Sequence, residues 1–146
     1  MEDISKRCAV STTASVPFTT IVTITGEIEH RMINDVPPSG GGQGKGPTPH
    51  ELLEASLASC KAITVKMYAD HKKWPLEAVT VRVRHDLRDN KTDGAKLHHF
   101  DVQVDVTGDL DDTQRERLCE IAGKCPIHKI LESETVFVTE LVGATP

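Results

Sequence analysis

Aromatic residues are scarce in this chain: one Trp, one Tyr and three Phe serve 146 residues. No run of Lys or Arg stands out, and the formal net charge is -5. Nucleic-acid binding needs a basic footprint and stacking platforms, so it is excluded as a leading reading. No stretch approaches the roughly 18 uninterrupted apolar residues of a membrane span. Met1 to Ser15 lacks the apolar run of a signal peptide, so a cytoplasmic location is expected. No C-x-x-C pair exists, and His98 and His99 are adjacent rather than one helical turn apart, which leaves zinc weakly supported. The glycine-rich stretch also lacks a P-loop ending, because Lys45 is followed by Gly46. In a reducing compartment the four cysteines, Cys8, Cys60, Cys119 and Cys125, serve packing, catalysis or metal binding rather than permanent cross-links. The length fits a single domain, 1–146, with residues 1–15 peripheral. Its core is modest, so burial against a partner is plausible.

What is present reads as alternating blocks of strand and helix. Thr19 to Gly26 is rich in β-branched residues, and Ile28 to Asn34 can follow it as the second strand of a hairpin. Pro37 to Pro47 holds too much Gly and Pro for regular structure and reads as a flexible connection. Thr48-Pro49-His50-Glu51 has the form of a capping box and starts a helix through about Lys72. Leu53, Leu57, Cys60, Thr64, Met67 and Tyr68 recur at threes and fours as one face. The small residues from Ala55 to Cys60 allow close approach from several sides. Trp74-Pro75 stops the helix. Val79, Val81 and Val83, then Phe100, Val102, Val104 and Val106, alternate as two strands around a polar turn at Asp89 to Lys96. Asp111 or Asp112 caps a second helix over Thr113 to Lys124, Cys125-Pro126 opens a short third one through Leu131, and Thr135 to Val142 is a last strand. This order predicts an α+β fold with antiparallel pairing.

Cys125 precedes Pro126, a residue suited to the first helical position. It is therefore placed at an N-cap, where free N–H groups favour a thiolate, with Lys124 and His128 as possible cations. A buried structural thiol at a kink is the equal alternative. Cys60 lies mid-helix among small and apolar residues. Taken alone it reads as a packed thiol, and a catalytic role requires a positive neighbour from elsewhere. Cys119 lies about 600° of helical rotation before Cys125 and is assigned to the core. Nothing argues for a role of Cys8. Cys125 and His128 at i, i+3, with Cys60 as a third ligand, keep a small metal site as a rival. Glu51 is the capping carboxylate. About 900° of rotation and about 13 Å of rise separate it from Cys60. A catalytic Glu51 therefore acts on a Cys60 of another subunit.

Three runs carry a family resemblance: G-P-T-P-H-E-L-L-E-A-S-L-A-S-C ending at Cys60, M-Y-A-D-H-K-K-W-P-L-E-A-V from Met67, and L-D-D-T-Q-R-E-R-L-C-E-I-A-G-K-C-P-I-H ending at His128. In order and spacing, over roughly Ile28 to Val142, the chain resembles the osmotically inducible protein C / organic hydroperoxide resistance family. The resemblance implies an OsmC-like fold in which antiparallel sheets wrap two central helices in an intertwined homodimer. It implies a thiol peroxidase acting on organic hydroperoxides and on hydrogen peroxide. Cys60 is then the peroxidatic thiol, Cys125 the resolving thiol, and Glu51 part of the site. No metal or organic cofactor is implied, and a dithiol, such as a lipoyl protein, is the implied reductant. Characterised members carry an arginine before the helix that pairs with the cysteine. Between Thr19 and Pro49 this chain offers only Arg31, whose competing reading is a solvent-facing strand residue. The H-R-M-I-N-D and P-P-x-x-G-G-G patterns resemble a less characterised branch. A non-enzymatic redox sensor or stress-related binding protein, using the same thiols or the dimer cleft, is the alternative function.

Overall fold

A computed structural model describes residue 4 and residues 6–143; part of the amino-terminal stretch read as peripheral, and the last three residues, lie outside them. The chain divides into two compact units, Met1–Ala55 and Ser56–Pro146.

The first unit holds a three-stranded antiparallel sheet in the order β1 (Ala9–Thr13), β2 (Thr20–Ile24), β3 (His30–Asn34). The expected hairpin is β2–β3, with Val22 opposite Met32. Strand β1 was not legible in the sequence. All five of its residues are exposed, so no buried face imposes a period of two.

The Pro37–Pro47 segment is not the flexible connection its composition suggests. Asp35, sealed from solvent, accepts hydrogen bonds from Thr19 Oγ1 at 3.0 Å, from its neighbour Val36 N at 2.8 Å and from Lys45 N at 3.2 Å. The loop opens with a 3-10 turn, Pro38–Gly40. A Cβ on Gly42 would stand 2.0 Å from the carbonyl oxygen of Val36, and one on Gly46 2.0 Å from that of Ile33. These glycines are there because backbone passes backbone too closely for any side chain. Burial opposes the charge on Asp35, but the bonds from Val36, Lys45, Thr19 and Gln43 outweigh it and hold its carboxyl below the ordinary value.

Helix α1 (Pro49–Lys72) begins as expected. Thr48 N donates to Glu51 Oε2 at 2.8 Å and Glu51 N donates to Thr48 Oγ1 at 3.2 Å, a reciprocal capping box. It ends where Lys73 turns left-handed (φ 56°) and Trp74 N returns to Ala69 O at 2.9 Å.

The second unit packs the remainder of α1 with a long hairpin, β4 (Leu76–Asp89) and β5 (Lys96–Gly108), and with α2 (Asp112–Ala122) and α3 (Pro126–Glu132). Val65, Ala69, Leu76, Val106, Leu110, Leu118, Ile121 and Ala122 form its core. Arg115 ties α2 to the end of β5 by donating to Val106 O, Gly108 O and Leu110 O at 2.7, 3.0 and 3.2 Å. Asp111 is the cap of α2, in a capping box with Gln114.

Three expectations are corrected. The buried stripe of α1 in this unit is Leu57, Lys61, Val65 and Ala69, whereas Met67 and Leu53 are exposed. A charged residue inside the stripe disguised its course. Cys119 is exposed, because Leu118, Ile121 and Ala122 form the inward edge of α2. Thr135 to Val142 is not a strand; it has no regular structure, and Val136, Phe137, Val138, Leu141 and Val142 are all exposed. A strand exists only against a neighbour that takes its backbone bonds, and no described strand pairs with this segment. The expected α+β architecture, with antiparallel sheets and three α-helices, is observed.

Candidate active site

Cys60 and Cys125 come together although they lie on different helices. The two thiols are hydrogen-bonded to each other and form no disulfide. Their environments differ. Cys60 sits half-buried on α1, and Cys125 is fully sealed.

Cys125 is the N-cap of α3, with Pro126 at the first helical position as its sequence implies. Its extended backbone (φ -68°, ψ 148°) aims the sulfur at the first turn, where it accepts from His128 N at 3.3 Å. Burial pushes this thiol above its ordinary value. The His128 N–H opposes that rise, the bond to Cys60 adds to it, and the charge of Lys61 pulls against it. Cys60 is the member of the pair that solvent reaches.

The positive charge that acts on the pair belongs to Lys61, and it acts on Cys125. The Lys61 side chain is only 2% exposed. Nζ donates to Ala122 O at 2.8 Å, closing a carbonyl at the end of α2, and meets His128 Nδ1 at 3.0 Å. An ammonium only donates, so His128 Nδ1 accepts and the ring proton resides on Nε2, which faces Glu132 Oε2 at 3.3 Å. His128 therefore serves the sulfur through its backbone, not as the cation anticipated. Lys124, the other anticipated cation, is exposed. The available signal for Lys61 was its place four residues from both Leu57 and Val65, in register with a buried stripe.

The remaining assigned residues lie in the first unit. Glu51 makes the capping box, and Arg31 on β3 is exposed and paired with Glu29 at 2.9 Å. The proposed metal triad does not assemble as one: among the described residues no group of three His, Cys, Asp or Glu side chains could hold an ion.

A cavity of about 280 Å³ opens beside His128. Leu57, Phe100, Val102 and Leu131 supply apolar walls, and His98, His128 and Glu132 supply polar ones. His98 is itself stacked on His85, with ring nitrogens 2.8 Å apart.

The OsmC-like protein family model matches residues 42–140. This chain belongs to the OsmC-like family. Among solved structures, the OsmC-like protein from Mycoplasma pneumoniae superposes with a TM-score of 0.69 at 19% identity, covering 88% of each chain. The organic hydroperoxide resistance protein OsmC from Legionella pneumophila gives 0.60 at 21% identity, covering 90% of this chain and 92% of that one. The organic hydroperoxide resistance protein OhrB of Bacillus subtilis gives 0.57 at 18%, covering 86% and 90%. At such identities the likeness establishes a shared fold, the OsmC-like one. No curated protein matches the chain significantly. No helix of this OsmC-like protein is long and apolar enough to cross a membrane, among the described residues.

Proposed function

We propose that this OsmC-like protein is a cytoplasmic thiol-dependent peroxidase that reduces organic hydroperoxides. The observation carrying the reading is the contact between two thiols of unequal access, Cys60 half-buried and Cys125 sealed. The Cys60 thiolate attacks the distal oxygen of ROOH, the O–O bond breaks, and the alkoxide leaves and takes a proton to become ROH. Cys60 is now a sulfenic acid. The Cys125 sulfur attacks it, its proton leaves with the hydroxyl as water, and a Cys60–Cys125 disulfide forms. An external dithiol, such as a lipoyl protein, restores both thiols by exchange and is itself oxidised. The apolar cavity beside His128 favours organic over inorganic peroxide. Two of the superposed proteins are named for hydroperoxide resistance, which supports the same class.

The whole chain acts as one domain in an intertwined homodimer whose sheets wrap paired α1 helices. The exposed apolar segment around Phe137 supports this, because such a run is otherwise left in water. In this reading Glu51 serves a partner subunit's thiolate and Arg31 supports the same site. A redox sensor using the same pair is favoured by one observation: sealed Cys125 is hard for a bulky reductant to reach.

Stopped-flow mixing of reduced protein with cumene hydroperoxide, hydrogen peroxide and a fatty-acid hydroperoxide, followed by dithiol-coupled turnover, tests the reading. Cys60→Ser should abolish turnover, and Cys125→Ser should consume one equivalent and then overoxidise at Cys60. Turnover that survives Cys60→Ser ends the proposal. A single oxidation without turnover selects the sensor.

A further inference from the structure

Lys61 is an ammonium almost wholly removed from water, and its hydrogen-bond partners carry no charge. Ala122 O is a carbonyl, and His128 Nδ1 is the accepting nitrogen of a neutral ring. Among the described residues no carboxylate forms an ion pair with it. A buried cation without a counter-ion is costly, since desolvation is offset only by an opposite charge and full hydrogen bonding. The acidic group that feels its charge is the thiol of Cys125 on the α2–α3 junction, and that thiol is in contact with Cys60, the preceding residue on α1. From α3, His128 touches it directly and Glu132 touches His128 on its far side. From β5, His98 shares the cavity wall with both.

We infer that Lys61 is a positioning residue whose charge holds one negative charge on the Cys60–Cys125 pair, with His128 fixing the ammonium in place. Resting on the peroxidase reading, this names what activates its thiolate, and it assigns that task to a residue inside the helix rather than to Arg31. Three features converge on it. Lys61 follows Cys60 directly in the chain. Its side chain runs inward along the stripe of Leu57 and Val65, towards the end of α2 and the start of α3. Its charge acts on the Cys125 sulfur in the direction of the thiolate. The orientation of His128 completes the arrangement. Nε2 keeps its proton and lies 3.3 Å from Glu132 Oε2, Nδ1 accepts from Lys61, and the backbone N–H of His128 binds sulfur. One residue thus touches both the ammonium and the Cys125 sulfur.

The test is a titration of thiolate absorbance near 240 nm, and of iodoacetamide rate, on reduced protein in a Cys8→Ser, Cys119→Ser background. Lys61→Met removes charge and donors, whereas Lys61→Gln removes charge and keeps a donor. Both should raise the apparent pKa of the thiol pair by about one unit or more. Alkylation at neutral pH should fall roughly tenfold. An unmoved profile in a folded Gln variant reduces Lys61 to a hydrogen-bond donor and overturns the inference. If neither variant folds, His128→Ala carries the test. It removes a half-exposed ring and keeps the backbone bond to sulfur, and it should shift the profile the same way by less; no shift overturns the inference. The titration uses no peroxide. A shift without turnover would sink the peroxidase and leave this role of Lys61, and turnover with an unshifted titration would do the reverse.

Discussion

The backbone N–H of His128 donates to the sulfur of Cys125 at 3.3 Å, one turn into a helix that Pro126 begins. Pro126 at the first helical position has no N–H to offer, and the sulfur takes that of the third, a free donor of the first turn.

This pairing does not offset burial, and the Cys125 thiol remains raised. A group raised in the folded state contributes stability that is full below its unfolded pKa and is lost as pH rises through the folded one. Reduced wild-type protein should therefore lose stability above the ordinary thiol range, about pH 8.5, more steeply than Cys125→Ser. Urea midpoints across that range check it, and parallel curves would refute the assignment.

Asp35 behaves oppositely. Its carboxyl is depressed, so its stabilisation is present above the ordinary carboxylate range, near about pH 4, and fades as pH falls through the folded value. Asp35→Asn should flatten the acid limb of stability and loosen the Gly-rich loop. Amide exchange at Lys45 N, whose bond ends on Asp35, should accelerate. Unchanged exchange would mean that the loop is held by its glycine contacts alone.

Leu118 on α2 is completely buried in the second unit. Leu118→Ala should cost about 2–5 kcal/mol, the usual range for deleting a fully buried leucine, and neighbouring Cys119→Ser should stay within about 0.5 kcal/mol because that thiol is exposed. Equal losses in the two would show that Cys119 is covered in solution.

Phe137 is 87% exposed in an unpaired run of apolar residues. If a partner subunit covers it, the protein sediments as a dimer and Phe137→Glu shifts the mass towards monomer at micromolar concentration. A wild-type monomer over the same range would count against the homodimer.

Local chemistry carried much of the architecture. The capping box at Thr48 and Glu51, the stop at Trp74-Pro75, the alternating valines of β4 and β5 and the Cys125-Pro126 helix start all appear where short-range rules put them. Those rules act over a few residues, and so does the sequence signal. Strand β1 escaped notice because no face of it is buried, and the carboxy-terminal run misled because alternation marks a strand only when a neighbour is there to bind it.

The sequence by itself determined the helix boundaries, the antiparallel hairpins and the two cysteines worth weighing, since propensity, capping and periodicity are properties of neighbouring residues. Only the tertiary structure decided that the α1 and α3 thiols touch, which one is sealed, and that a lysine lies inward beside them. Burial and charge at a site are sums over residues distant in the chain, and no local pattern contains that sum.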